Sequence, residues 1–170
     1  SVPANRVKKG DKLAGMRVIP LIIAEEKLTA AKAAAGDTPL LELRPWVRKT
    51  AAIVATGSEV KKGLIQDTFT PVVKEKLAAY GIETISIAYS GDGVENVANA
   101  IGEARKTGAD LILCTGGMSV DPDDRTPLAI KNTGADIITY GAPVLPGAMF
   151  LVSYLDGVPV CGLPGCVMYA

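Results

Sequence analysis

From residue 51 onward, short apolar runs alternate with amphipathic stretches of helical period, which predicts strands and helices taken in turn. Residues 51–55 (AAIVA) form a continuous apolar run, as expected of a strand covered on both faces. Over residues 71–80, Val73, Leu77 and Tyr80 share one helical face, with Thr70 at the N-cap, Pro71 at the first helical position and Gly81 just past the end. Residues 82–89 predict a second strand with Ile85, Ile87 and Tyr89 on one side and small residues on the other. A second helix over 93–106 places Val94, Val97, Ala98 and Ile101 on one face, and Gly108 closes it. Residues 110–115 predict a third strand, and Thr126-Pro127 opens a shorter helix running to 132. A fourth strand follows at 137–140, and 149–155 pairs with 158–163 across Asp156-Gly157, a strong hairpin signal. Such alternation packs helices on both faces of a sheet. The expected fold is therefore a three-layer α/β/α sandwich, with a mostly parallel sheet and a C-terminal β-hairpin.

The pattern before residue 50 is different and reads as an N-terminal extension, residues 1–50, ahead of an α/β domain over 51–170. It opens with a polar turn at 8–11, continues with an apolar strand over 16–24, and then an Ala-rich helix over 25–35 that Gly36 stops. A second short strand is expected at 40–43. The basic stretch 44–49, which holds Trp46, reads as a linker anchored by one aromatic.

Composition narrows the chemistry. The 170 residues include 18 Lys+Arg, 18 Asp+Glu and no His, and 48% are hydrophobic, enough for a real core. Zero formal charge with scattered basic residues gives no field to gather phosphate backbones, so no nucleic-acid partner is expected. Without His, neither a Ser-His-Asp or Cys-His nucleophile nor a His-ligated zinc site is available. Three cysteines, Cys114, Cys161 and Cys166, fit a reduced cytoplasmic chain. No apolar stretch is long enough to span a bilayer, and nothing resembles a secretion signal.

The turn residues cluster. Thr56-Gly57-Ser58-Glu59 follows the first strand, Ser90-Gly91-Asp92-Gly93 the second, and residues 115–119 (TGGMS) the third. All three loops leave the carboxyl edge of one sheet, where ligands bind in open α/β folds. The Gly116-Gly117 pair lets main-chain N–H groups approach an anion closely. Asp121, Asp123 and Asp124 stand just beyond. Carboxylates beside a phosphate cradle repel its ligand unless a divalent cation such as Mg²⁺ lies between them. The plainer reading is that Asp123 and Asp124 only favour the helix dipole. Likewise Asp92 with Glu95 fits a capping box, Asp67 a turn cap, and Glu59 a solvent-facing position.

Residues 115–127, TGGMSVDPDDRTP, resemble the signature loop of the molybdopterin-binding superfamily, which includes molybdenum-insertion, molybdopterin-adenylylating and competence-damage-inducible proteins. Three more segments match in order and spacing: ATGSEVKKGLIQD at 55–67, SGDG at 90–93 and GLPG at 162–165. The resemblance covers about residues 50–170. The lead-in 2–46, VPANRVKKGDKLAG through ELRPW, also resembles that of stand-alone molybdopterin-binding proteins of anaerobic bacteria. The resemblance implies that Thr115, Gly116, Gly117 and Ser119 hold the pterin's terminal phosphate. It implies that Asp92 and Asp124 match two acidic catalytic positions, with Asp92, Asp123 and Asp124 as the metal set. It also implies that Thr56, Gly57, Glu59, Asp67 and Gly165 belong to the molybdopterin pocket. Mg²⁺, called for by the carboxylates beside the phosphate loop, and ATP are the expected companions, and a homo-oligomer, dimer or trimer, is expected because the hairpin over 149–163 leaves an edge for a neighbour to cover.

The departures matter equally. Where metal-insertion members carry a Pro-Gly-Lys-Pro-like segment, this chain reads Pro146-Gly147-Ala148-Met149, and the closing Leu-Pro-Gly-Asn-Pro becomes Leu163-Pro164-Gly165-Cys166-Val167. The chain also ends where the family pattern begins another helix, so a C-terminal helix is expected to be missing. Three functions stay open: molybdopterin binding with metal insertion or adenylyl transfer, a non-enzymatic cofactor carrier or sensor, and a nucleotide pyrophosphohydrolase like the competence-damage-inducible proteins.

Overall fold

In the computed structural model, the described residues are 10–12, 22–37, 46–119, 121, 124–141 and 147–168. The chain divides into two compact units, Ser1–Arg44 and Pro45–Ala170. In the first, α1 spans Glu25–Ala35 and ends at Gly36, whose φ of 66° is a backbone conformation that favours glycine and takes the chain out of the helix. Two glutamates open α1 and Lys32 closes it, the charge order the helix dipole favours. Of the strand expected at 16–24, residues 16–21 lie outside the described residues, and 22–24 are coil leading into α1. The strand expected at 40–43 also lies outside them.

The second unit is built on β1 (Thr50–Thr56), β2 (Glu83–Ser90), β3 (Ile112–Thr115), β4 (Asp136–Tyr140), β5 (Leu151–Leu155) and β6 (Val158–Leu163). They form one sheet in the order β2-β1-β3-β6-β5-β4. β2, β1, β3 and β6 pair in parallel, while β5 runs antiparallel to both β6 and β4. The helices are α2 (Ser58–Lys61), α3 (Phe69–Ala79), α4 (Val94–Lys106) and α5 (Thr126–Asn132), and a 3₁₀ turn follows at Gly165–Met168.

Period-2 alternation in β1 sorts its side chains into two cores. Ala52 and Val54 join Val97, Ile101, Ile112, Ala129, Ile130, Leu151 and Val160 beneath α4 and α5. Ala51 and Ile53 meet Val73, Leu77, Ile82 and Leu113 beneath α3. These are the two faces of the expected sandwich. At its base, the Asp110 carboxylate accepts the Lys49 and Thr50 N–H groups at 3.0 Å each, which anchors the start of β1. Trp46 remains half exposed and meets Tyr80 edge-on, with ring centroids 5.1 Å apart.

Three local expectations are corrected. The helix expected at 71–80 begins two residues earlier, at Phe69, and Thr70 is not its cap but a buried residue within it. Asp67 does the capping: its Oδ1 accepts the Phe69 and Thr70 N–H groups at 2.9 and 3.0 Å. A carboxylate outcompetes a hydroxyl for free amides at the positive end of a helix. Second, Asp92 does not cap α4, whose N-cap Gly93 carries no side-chain bond. Third, Thr126 opens α5 as expected, but its hydroxyl donates to the Gly116 carbonyl at 2.8 Å instead of capping.

Candidate functional site

At the carboxyl edge of β1, β2 and β3, the three loops converge. Two glycines set the shape of the third. Gly116 has φ +83°, and a Cβ there would collide with the Thr56 carbonyl and lie 2.6 Å from its hydroxyl. Gly117 has φ +57°, and a Cβ there would lie 2.8 Å from the Thr126 hydroxyl. Only glycine fits either position.

Two threonine hydroxyls fasten this loop to the scaffold. Thr56 Oγ1 donates to the Thr115 carbonyl at 2.8 Å, Thr126 Oγ1 donates to the Gly116 carbonyl at 2.8 Å, and the two hydroxyls stand 3.4 Å apart. With these carbonyls occupied, the loop's conformation is fixed from behind. Met118, 2% exposed, pins it from below by packing against Gly162, where a Cβ would strike the thioether.

The carboxylates brace the loops rather than hanging free. Asp124 Oδ2 accepts both the Ser119 N–H and the Ser119 hydroxyl, the latter at 2.6 Å. Asp92 Oδ2 accepts the Ser58 N–H at 3.0 Å, and Ser58 Oγ accepts the Asp92 N–H at 3.3 Å. That reciprocal pair ties the loop after β2 to the loop after β1. Asp67, with its Oδ1 spent on two amides, leaves Oδ2 buried without a hydrogen-bond partner. Burial pushes the Asp67 carboxyl up, but the neighbouring Thr70 hydroxyl, the amides of Thr70 and Phe69 and the nearby Tyr89 hydroxyl outweigh it, so its pKa falls below the ordinary value.

Two cavities open beside this scaffold. The larger, about 460 Å³, is lined by Thr56, Gly57, Glu59, Asp67, Asp92, Thr115 and Gly116, with Val60, Ile65 and Phe69 as apolar walls. The smaller, about 330 Å³, is lined by Thr56, Asp92, Gly117, Asp121, Asp124, Arg125 and Thr126. Thr56 and Asp92 line both, so the two cavities adjoin, with Gly116 on the larger and Gly117 on the smaller. A space of this size, lined by both polar groups and apolar walls, suits a small organic ligand.

The structure thus gathers Thr56, Gly57, Glu59, Asp67, Asp92, Thr115, Gly116, Gly117 and Asp124 around two adjoining cavities. Ser119 and Gly165 line neither. The Ser119 hydroxyl is engaged by Asp124, and Gly165 sits behind the Phe69 ring, 3.9 Å from where its Cβ would be. Asp123 lies outside the described residues. Among the described residues, no three carboxylates or thiols gather to hold a metal ion. Sequence reasoning missed Phe69, Thr126 and Arg125. Phe69 follows a capping Asp by two residues, a readable signal; the role of Thr126 depends on a contact ten residues back along the chain and had none.

Residues 52–170 match the family model described as a probable molybdopterin binding domain. A probable FAD synthase of Caenorhabditis briggsae is 29% identical over 113 residues, covering 66% of this chain and 21% of that protein. A molybdopterin molybdenumtransferase of Staphylococcus epidermidis is 28% identical over 174 residues, covering 97% of this chain and 39% of that protein. The chain therefore spans well under half the length of these relatives. Among solved structures, the tungsten cofactor synthesizing protein MoaB of Pyrococcus furiosus superposes with a TM-score of 0.58 at 26% identity, covering 72% of this chain and 85% of that one. The chain belongs to the molybdopterin-binding domain family.

Proposed function

We propose, from that membership, that residues 45–170 bind a molybdopterin-type pterin phosphate in molybdenum cofactor biosynthesis or delivery. The observation that carries this reading is the placement of Asp92 and Asp124 on the cavity that Gly117 lines, with Gly116 facing the adjoining one. The glycine-loop amides hold the phosphate, and the apolar walls of the larger cavity take the ring system. Arg125, on the smaller cavity, supplies the cation that Ala148 does not.

The donor set fits Mg²⁺ of one kind. With no cluster of three ligands among the described residues, a resident all-protein site is not built. Mg²⁺ is commonly held by one or two carboxylates together with ligand phosphates and waters. Asp92 and Asp124 suit that arrangement. When bound, Mg²⁺ would neutralise phosphate charge beside the carboxylates. The protein's own part is to fix the phosphate, hold the carboxylates in place through Ser58 and Ser119, and place Arg125 at the cavity. With no His, covalent catalysis has no evident nucleophile, and electrostatic positioning carries the chemistry. Metal insertion and adenylyl transfer with ATP are the two reactions this geometry serves.

A carrier that binds the cofactor without turning it over is the second reading, favoured by Ala148 and Cys166 at positions where metal-insertion members place a cation and an amide. Calorimetric titration with molybdopterin and with ATP, each with and without Mg²⁺, tests both readings. Asp124→Asn separates them, because an asparagine Oδ1 still accepts from Ser119 while the charge is gone. An enzyme loses turnover by about 10²-fold or more with pterin binding retained, whereas a carrier keeps its binding and has no turnover to lose. Binding of neither ligand overturns the proposal. We place the protein in the cytoplasm, as a homo-oligomer whose exposed edge strands β2 and β4 are the surfaces available to a neighbour; among the described residues no helix is long and apolar enough to cross a membrane.

A further inference from the structure

One row of directly paired residues crosses the sheet just before the glycine loop: Val54 on β1, Cys114 on β3, Gly162 on β6, Leu151 on β5 and Tyr140 on β4. Directly paired residues share a face of a sheet, and Val54, Cys114 and Leu151 all belong to the core beneath α4 and α5. Tyr140 therefore stands on the α5 face. Because β5 runs antiparallel to both neighbours, β4 runs the same way as β6 and β3. Tyr140, its last residue, thus lies at the carboxyl edge that carries the glycine loop.

The row changes character at this end. Val54, Cys114 and Leu151 are 0% exposed, and Met118 of the glycine loop fills the space over Gly162, whereas Tyr140 is 46% exposed. The helix α5 packs over β6, and the residues at its start, Asp124, Arg125 and Thr126, line the smaller cavity. The Tyr140 side chain stands on the flank of that cavity beyond α5. Partial burial raises its pKa and the nearby charge of Asp124 raises it further, so the phenol is protonated at neutral pH and available to donate. The cavity is short of such donors. Its lining sets one cation, Arg125, against Asp92, Asp121 and Asp124. The hydroxyls of Thr56, Thr126 and Ser119 already donate to the Thr115 carbonyl, the Gly116 carbonyl and the Asp124 carboxylate.

We propose that Tyr140 is a further binding residue of this site, its hydroxyl donating to an anionic oxygen of a phosphate group held in the smaller cavity. The inference rests on the phosphate reading of the glycine loop given above, and it adds a residue from the far edge of the sheet to a site otherwise built by β1, β2, β3 and α5. A neutral phenol supplies a hydrogen bond to the phosphate without a second cation to pair with the aspartates.

The test titrates inorganic pyrophosphate and molybdopterin, each with Mg²⁺, into the full chain carrying fluorotyrosine at its five tyrosines, and follows fluorine and backbone amide signals by NMR. The fluorine signal missing from Tyr140→Phe identifies Tyr140. That signal is expected to shift together with the Gly117 amide, and Tyr140→Phe is expected to weaken binding roughly tenfold. The variant keeps the ring at a half-exposed position, so its thermal midpoint is expected to match the wild type. Tyr154→Phe is the control: Tyr154 pairs with Asp136 and Pro159 on the opposite face of the sheet, and binding should be unchanged. The inference alone is overturned if the Gly117 amide moves while the Tyr140 signal stays, or if Tyr140→Phe binds as tightly as the wild type. If neither probe binds, the inference falls together with the proposed function. Should Tyr140→Phe also lose stability, the wild-type fluorine signal decides: a shift on binding supports the contact and no shift overturns it.

Discussion

Asp124 and Asp92 show why a residue that braces a loop and a residue that lines a site need not be alternatives. Each spends one carboxylate oxygen on a loop amide and still lines the cavity that loop encloses. The geometry makes loop shape and charge placement one problem, so substitutions there split by what they keep. Gly116→Ala keeps nothing: it forces a left-handed Cβ into the Thr56 carbonyl. Strain and overpacking together predict a loss of roughly 2–5 kcal/mol, measured as a lower urea midpoint, with ligand binding abolished. Asp67 has a pH signature. Its folded pKa lies below its unfolded value, so its contribution to stability is complete above the unfolded carboxylate range and is lost as pH falls through the folded value. Asp67→Asn is therefore expected to cost about 1 kcal/mol near neutrality. The gap to the wild type should narrow as urea titrations are repeated below about pH 4.

At the scale of elements, the residues that determine local shape were readable where the signal was local. The Ala-rich helix stops at Gly36, and the Asp156-Gly157 hairpin forms with both central residues at positive φ, 49° and 77°. Gly157 has nothing within 4 Å of a Cβ, so Gly157→Ala probes backbone strain alone. A cost of about 1–2 kcal/mol is expected, seen as a lower thermal midpoint without change in ligand binding. Elements were misread where the deciding contact was distant in sequence or where helical period was too short to register. The α2 turn and the 3₁₀ turn are each four residues long and carry no periodic face. The Asp92-Glu95 spacing suggested a capping box, yet Ser58, 34 residues away, claims the carboxylate. On β2 the alternation was legible, but not that the large residues Ile85, Ile87 and Tyr89 would be the exposed set. They lie at the sheet edge, where the single helix α3 gives only partial cover.

Across the whole second unit, the two layers are unequal. The core beneath α4 and α5 takes in fully buried residues such as Ile101, Ile112, Ile130 and Leu151, whereas that beneath α3 is a smaller cluster that leaves Leu77, Ile82 and Leu113 slightly exposed. Local opening follows the poorer packing. Hydrogen exchange is therefore expected to be faster in α3 than in α4, and a ligand that contacts Asp67 and Phe69 should slow α3 selectively. Equal protection in the absence of ligand would contradict this ranking.

The sequence by itself determined the order and type of the main elements, the glycine pair and the carboxylates beside it. Those follow from periodicity, turn chemistry and a motif, all of which act over a few residues. Only the tertiary structure decided the strand order β2-β1-β3-β6-β5-β4, the partner each carboxylate takes, and the two cavities beside the glycine loop. These depend on which distant segments meet, and hydrogen bonds between segments 34 or 59 residues apart leave no local trace in the chain.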